Sequence, residues 1–325
     1  MSKASFSSGD LIADRRVDYA RMLAEGGDYS AAIDLIGQAL ELAPDWAAAW
    51  DLLGSYEEKA GNVAAAIAAW RRLEALDDEG LFGARLKLAA HKAGPAGDGT
   101  AVGYVEALFD QYAPKFEDAL VGKLGYRVPE LLDTLIQEEM ARLGLTGFDK
   151  ALDLGCGTGL MGARLRERVR VLEGIDISAA MIAETARKNI YDSLQKAELV
   201  ASLNARRADA DLVTAADVLI YCGALGPVLT ALVPALRGGG LVAFSLEAHD
   251  GDEDVFLRPS LRYAHGIAAT RDALVVAGLD ILRFETAILR FDRGAPITGI
   301  LVVARKPALE LSAANDGEDG GDVAA

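Results

Sequence analysis

Apolar positions recur through residues 13 to 80 at the spacing of amphipathic helices, whereas from residue 150 onward short apolar runs alternate with helical segments. The runs fall at 150–154, 171–175, 196–200, 211–216 and 240–246. Strands alternating with helices predict an α/β architecture, a parallel sheet covered on both faces. Ahead of the sheet, "YVEALFDQYAPKFEDALVGKLGYRVPELLDTLI" reads as helical with a break near Gly125. Behind it, "LDILRFETAILRF" and "ITGILVVARK", joined by the turn signal "DRGAP", predict an antiparallel hairpin at one edge. One stretch imitates a membrane span, since the nineteen residues between Asp217 and Arg237 carry no charge. Gly223, Gly226, Pro227 and Pro234 interrupt it, which favours a strand, a turn and a short buried helix.

The helical first part repeats itself. A shift of 34 residues pairs Ala20 with Gly54, Gly27 with Gly61, Ala32 with Ala66, Ile33 with Ile67 and Ile36 with Trp70. This period resembles the tetratricopeptide repeat, with Trp50, Leu53, Gly54, Gly61, Ala66 and Trp70 at signature positions. Small residues at 20, 32, 54 and 66 let helix backbones cross closely. A weaker helix over Leu81 to Gly94 is expected to cap the repeats or dock them on the next domain. "AGPAGDGT" (Ala93 to Thr100) marks a boundary, giving predicted domains at 13–94 and 100–306. Residues 311–325, with four acids and no base, read as a solvated, disordered tail.

Composition narrows the partners. The chain has 325 residues, 51% hydrophobic and 25% charged, enough for two well-cored domains. A formal charge of -16 argues against a nucleic-acid backbone or an anionic membrane, since both require a basic face. No apolar signal-peptide core appears near Met1, so a cytoplasmic location is expected. Cys156 and Cys222 are the only cysteines and lack a CxxC or His-rich neighbour, so two buried thiols are expected, with neither disulfide nor metal site.

The chemistry concentrates in "LDLGCGTG", where a strand-like run ends in glycines at alternate positions. A dinucleotide fingerprint requires a third glycine where this chain has Leu160, which disfavours a nicotinamide dehydrogenase, and no Gly-Lys-Ser/Thr ending of a phosphate loop is present. Asp153, Gly155, Cys156, Gly157 and Gly159 resemble motif I of class I S-adenosylmethionine-dependent methyltransferases. That resemblance implies a doubly wound, mostly parallel seven-stranded sheet with an antiparallel edge hairpin, and S-adenosyl-L-methionine as cofactor. Glycines let the backbone pass the cofactor without a Cβ in the way, and Asp153 is expected to hold the methionine amino group. "LEGIDIS" places Asp176 23 residues after Asp153, where a carboxylate accepts both ribose hydroxyls. Ile177 and Met181 are then expected to line the adenine, and Glu198 with Leu199 to reach its amino group. Ala215 and Ala216 are expected to face the methionine moiety, with Asp217 and Tyr221 following toward the acceptor. Tyr112 and Phe116, four apart, suggest an aromatic lid over the sulfonium, and Arg127 a partner for the methionine carboxylate.

With "FDQYAPKFEDALVGKLGYRVPELL" before the glycine loop and "RYAHG" after the fifth strand, residues 15 to 306 resemble bacterial methyltransferases that carry tetratricopeptide repeats. The expected reaction is methyl transfer to a small-molecule or protein acceptor, with a protein partner at the repeats. The alternative is a cofactor-binding scaffold without turnover. Transfer from a sulfonium is an in-line displacement in which only a protonated nucleophile needs a base. His265, beyond the fifth strand, is the candidate base, and Arg262 beside it a candidate for orienting an acidic substrate.

Overall fold

Five helices fill the first 90 residues: α1 (Leu11–Glu25), α2 (Tyr29–Leu42), α3 (Ala47–Lys59), α4 (Val63–Glu74) and α5 (Ala84–Ala90). The computed structural model describes residues 7–95, 101–117, 122 and 124–308, so the acidic tail and most of the predicted boundary lie outside the described residues. Asp10 and Asp28 start α1 and α2 by accepting hydrogen bonds from backbone N–H groups of the first turn. Links of three or four residues between α1 and α4 leave room only for antiparallel neighbours. The pairs pack through Ala20, Ala32 and Ala66, all fully buried. Gly54 is needed because a Cβ there would lie 2.3 Å from the Trp70 indole nitrogen.

Helices α6 (Val102–Tyr112) and α7 (Val128–Leu143) lead into the sheet. Pro114 stops α6, so Tyr112 ends it and Phe116 lies beyond a short 3-10 turn instead of one helical turn on. Then come β1 (Phe148–Leu154), α8 (Leu160–Leu165), β2 (Val169–Asp176), α9 (Ala179–Ala186), β3 (Ser193–Lys196), α10 (Leu199–Asn204), β4 (Ala210–Ala215), α11 (Gly226–Ala235) and β5 (Leu236–His249). The chain closes with β6 (Val255–Leu257), β7 (Tyr263–Gly266), α12 (Ile267–Val276), β8 (Asp280–Asp292) and β9 (Ala295–Arg305).

The strands form one mostly parallel sheet in the order β3-β2-β1-β4-β5-β7-β6, with β9 antiparallel to β5 and β8 outside β9. Among the described residues nine strands replace the expected seven, because the "RYAHG" segment and Val255–Leu257 add β7 and β6 beyond β5. The expected strand at 196–200 is also corrected. It ends at Lys196, since Glu198 accepts from the Val200 and Ala201 N–H groups and turns the chain into α10. The charge-free stretch after Asp217 becomes a tight turn, α11 and the start of β5, and no helix among the described residues is long and apolar enough to cross a membrane. Alternation along β5 sends Val242, Phe244 and Leu246 into one apolar layer and Leu241 and Ala243 into the other, so both faces are covered.

Candidate active site

Strand order reverses at β1, which lies between β2 and β4, and such a switch point leaves a crevice at the carboxyl ends of the strands. A cavity of about 340 Å³ opens there, walled on one side by α6. Its floor is the glycine loop. Gly155 has φ +59, and a Cβ on it would meet the Val218 side chain at 2.5 Å. Gly157 has φ +53 and donates its N–H to Asp176 Oδ2 at 2.8 Å.

Asp176 ends β2 and faces the cavity. Its other oxygen accepts from the Ser178 N–H at 2.8 Å. Burial raises its pKa, opposed by these backbone hydrogen bonds. Each oxygen therefore holds one N–H and keeps a lone pair for a ligand hydroxyl.

Of the other residues singled out in the sequence, Ile177, Glu198, Leu199, Asp217, Tyr221 and Tyr112 also line the cavity. Glu198 does so while capping α10 with both oxygens. Tyr112 is half exposed at the rim, and the aromatic contacts belong to Phe109, edge-on to Tyr221 at 5.4 Å and to Phe116 at 6.0 Å between ring centroids.

The remaining residues are placed elsewhere. Asp153 is buried at the end of β1, where Tyr191 Oη and Thr214 Oγ1 donate to its two oxygens at 2.6 and 2.8 Å, so its carboxylate is engaged within the structure. Cys156, Gly159, Met181 and Ala215 are not among the lining residues; Cys156, Met181 and Ala215 are buried, and Ala216 faces the cavity in place of Ala215. Burial pushes the Cys156 thiol up, which keeps it protonated. Cys222, the second thiol, is buried at the cavity wall. Arg127 precedes α7 with an exposed side chain, outside the cavity lining. His265 is 1% exposed on β7, its Nε2 3.0 Å from the Gly223 carbonyl oxygen, and it does not reach the cavity. Burial lowers its pKa to about 4. That imidazole is neutral at pH 7 but points into structure, which corrects its expected role as base.

Sequence reasoning missed a buried ion cluster at the far end. Arg290 on β8 is 1% exposed, and its Nη1 donates to Asp217 Oδ2 at 2.6 Å while Nη2 donates to Glu247 Oε1. The cluster holds Asp217 at φ +63, a backbone region that a non-glycine residue enters only when its surroundings fix it. The Asp217 N–H donates to Ser245 Oγ at 2.8 Å, which fixes it further. Tyr104, Phe109 and Tyr126 were missed as well. Only their aromatic character gave a signal. Burial holds Tyr104 at about 12 and raises Tyr126 and Tyr221, so these phenols stay protonated.

Three polar tethers fasten the α6 region over the cavity. Asp110 accepts from Ser178 Oγ at 2.6 Å and from the Ala180 N–H at 3.2 Å; Glu106 pairs with Lys196 at 2.6 Å; Glu117 pairs with Lys188.

Comparison with known proteins adds to this geometry. A family profile described as "Methyltransferase domain" matches residues 152–242, the span from the glycine loop into β5. The chain carries a methyltransferase domain. The cofactor of this methyltransferase domain is S-adenosyl-L-methionine. A malonyl-[acyl-carrier protein] O-methyltransferase from Enterobacter lignolyticus is 33% identical over 111 residues, 34% of this chain and 44% of that protein. Methyltransferase-like protein 27 of Homo sapiens is 32% identical over 178 residues, 53% of this chain and 66% of that one. The chain thus spans less than two thirds of the length of either relative. Among solved structures, the [4+2]-cyclase SpnF superposes with a TM-score of 0.50 at 18% identity, covering 63% of this chain and 96% of that chain, which shows a shared fold.

The methyltransferase domain fits its cofactor on the geometry. Gly155 and Gly157 present bare backbone, Asp176 offers two acceptor oxygens, and Phe109, Phe116 and Tyr221 supply ring surfaces that attract a cation.

A pH test reads the buried acid beneath the loop. Burial raises Asp153 from 3.8 to about 6, opposed by Tyr191 and Thr214. The folded state therefore holds this proton more tightly than the unfolded chain does. Its contribution to stability is present below pH 4 and lost as pH rises to about 6. Wild type is expected to lose stability relative to Asp153→Asn across that window and to run parallel to it above. Urea denaturation at a series of pH values measures this, and parallel profiles from pH 4 to 6 would show that Asp153 ionises normally.

Proposed function

We propose that this protein transfers a methyl group from S-adenosyl-L-methionine to a small-molecule or protein acceptor seated between Asp217 and Arg262. The observation that carries the reading is Asp176 at the end of β2, its carboxylate facing the same cavity as the bare backbone of Gly155 and Gly157. When bound, the cofactor supplies an electrophilic methyl on a sulfonium. The chain does the rest. Asp176 holds the ribose hydroxyls, Ile177 and Leu199 flank the base, and Glu198 faces its edge. Phe109, Phe116 and Tyr221 place aromatic faces beside the positive charge. α6 and the turn after it exclude water through the three tethers, which sharpens every electrostatic contact beneath them.

Domains at 13–94 and 100–306 belong to this reading, with α1 to α4 as two tetratricopeptide repeats that dock a protein partner. The 34-residue period and the Gly54–Trp70 crossing support it. The segment after the repeats also backs the site: Tyr104, a lining residue, packs its ring on Gly83, just ahead of α5, where a Cβ would meet it at 2.7 Å. A cytoplasmic location agrees with this chemistry.

Incubating the protein with methyl-labelled S-adenosyl-L-methionine and cell extract tests the function. Label is expected to move from the cofactor into one acceptor, and the protein or small-molecule fraction in which it appears names the acceptor class. Retention of all label on the cofactor, by a protein that binds it, would reject methyl transfer.

A further inference from the structure

Beyond the acid for the ribose, the cavity presents a guanidinium, that of Arg262, whose nearest carboxylate oxygen among the described residues is already taken. The strand order puts Asp176, on β2, and Asp217, after β4, on opposite sides of β1, with Arg262, just before β7, further along the same edge. At that end three guanidinium groups, Arg258, Arg262 and Arg290, meet two carboxylates, Asp217 and Glu247. Both carboxylates are already engaged: Arg290 binds Asp217 and Glu247 Oε1, and Arg258 Nε lies 3.0 Å from Glu247 Oε2. For Arg262, the nearest carboxylate oxygen among the described residues is Glu247 Oε1 at 4.0 Å, which Arg290 occupies, and Tyr221 Oη is 3.5 Å from its Nε. The cluster sums to one net positive charge, and it rests on a side chain that faces the cavity.

A guanidinium in a partly dry site with no carboxylate in its own fork gains from an anion that a ligand supplies, and its planar fork matches a carboxylate in two parallel hydrogen bonds. Ser260 lies beside it, and Tyr104, Leu108, Phe109 and Val218 wall the space with apolar surface. A doubly charged phosphate would meet Asp217 and Glu247 with one uncompensated charge, whereas a single carboxylate balances the cluster. The tethered α6 favours a small molecule over an extended chain. In the same corner Asp217 is paired with Arg290 through Oδ2 and keeps Oδ1 without a hydrogen-bond partner among the described residues, while the Tyr221 phenol is protonated.

We propose that Arg262 is the acceptor-recognition residue of this site and that the acceptor is a small organic acid whose carboxylate pairs with its guanidinium. This rests on the methyltransferase reading. The test titrates hexanoate and its neutral isostere hexanamide into the full chain saturated with S-adenosylhomocysteine, for wild type, Arg262→Gln and Arg262→Lys, by calorimetry. Hexanoate is expected to bind wild type about tenfold or more tightly than hexanamide. Arg262→Gln should erase the difference, and Arg262→Lys should keep part of it, because it keeps charge without the fork. S-adenosylhomocysteine affinity, measured first in each sample, should be unchanged. If wild type binds S-adenosylhomocysteine but shows no preference for the acid, or if the preference survives in Arg262→Gln, the inference is overturned and methyl transfer stands. If wild type fails to bind S-adenosylhomocysteine, the methyltransferase reading itself is overturned and the inference falls with it.

Discussion

Arg290→Met is expected to lower the unfolding free energy by on the order of 3–5 kcal/mol, the range for removing one partner of a buried ion pair. The guanidinium and the Glu247 carboxylate are each 1% exposed, so water cannot replace what the substitution removes. Glu247 would keep Arg258, whereas Asp217 would lose its only ion-pair partner among the described residues. Burial already raises the Glu247 pKa, opposed chiefly by Arg290. In the variant this carboxyl should take up a proton at higher pH. Asp217 should also relax from its φ of +63, opening the acceptor end of the cavity. Urea denaturation of wild type, Arg290→Met and the double variant Arg290→Met, Asp217→Asn reads the effect. The double variant should recover part of the loss because it removes the uncompensated charge. A single variant within 1 kcal/mol of wild type would show that the cluster is not desolvated as described.

The second large effect concerns binding. Asp176→Ala is expected to weaken S-adenosyl-L-methionine by about 3 kcal/mol, roughly a hundredfold, since two charge-assisted hydrogen bonds to the ribose disappear. The loop suffers as well, because Gly157 and Ser178 lose the acceptor for their N–H groups. Asp176→Asn, keeping one acceptor oxygen, should fall between. Calorimetry gives the affinities and a thermal melt confirms that each variant is folded. An unchanged dissociation constant in a folded Asp176→Ala protein would remove this acid from the site.

Legibility in the sequence depends on distance along the chain. The glycine loop, β1, β2 and Asp176 fall within 30 residues, where strand period and turn chemistry are local, and the structure brings Gly155, Gly157 and Asp176 to one cavity. The hairpin was legible for the same reason, since Arg293 and Gly294 both take positive φ at its turn. The strand expected at 196–200 ran too far because a carboxylate after a strand and a carboxylate capping a helix look alike in sequence, and Glu198 caps α10 while lining the cavity. Arg290 and Glu247 were invisible. Each sits in an apolar strand where a charge reads as the solvent-facing member of an alternation, and they meet across 43 residues only because β8 folds back beside β9. Asp153 pairs with Tyr191 across 38 residues in the same way, which moves it beneath the loop.

The position of β9 bears on how the chain is made. β5 pairs with β4 along one side, but from Leu241 to Glu247 its other side is closed by β9, built from residues 295–305. During synthesis the N-terminal helices and β1 to β5 emerge first. Until Ala295–Arg305 leaves the ribosome, the backbone of "LVAFSLE" presents unpaired N–H and C=O groups on an apolar strand, a template for pairing with other chains. Chains stalled or cut before residue 295 would carry the complete glycine loop and Asp176 together with that open edge, so aggregation would overtake them before any loss of cofactor contacts was felt.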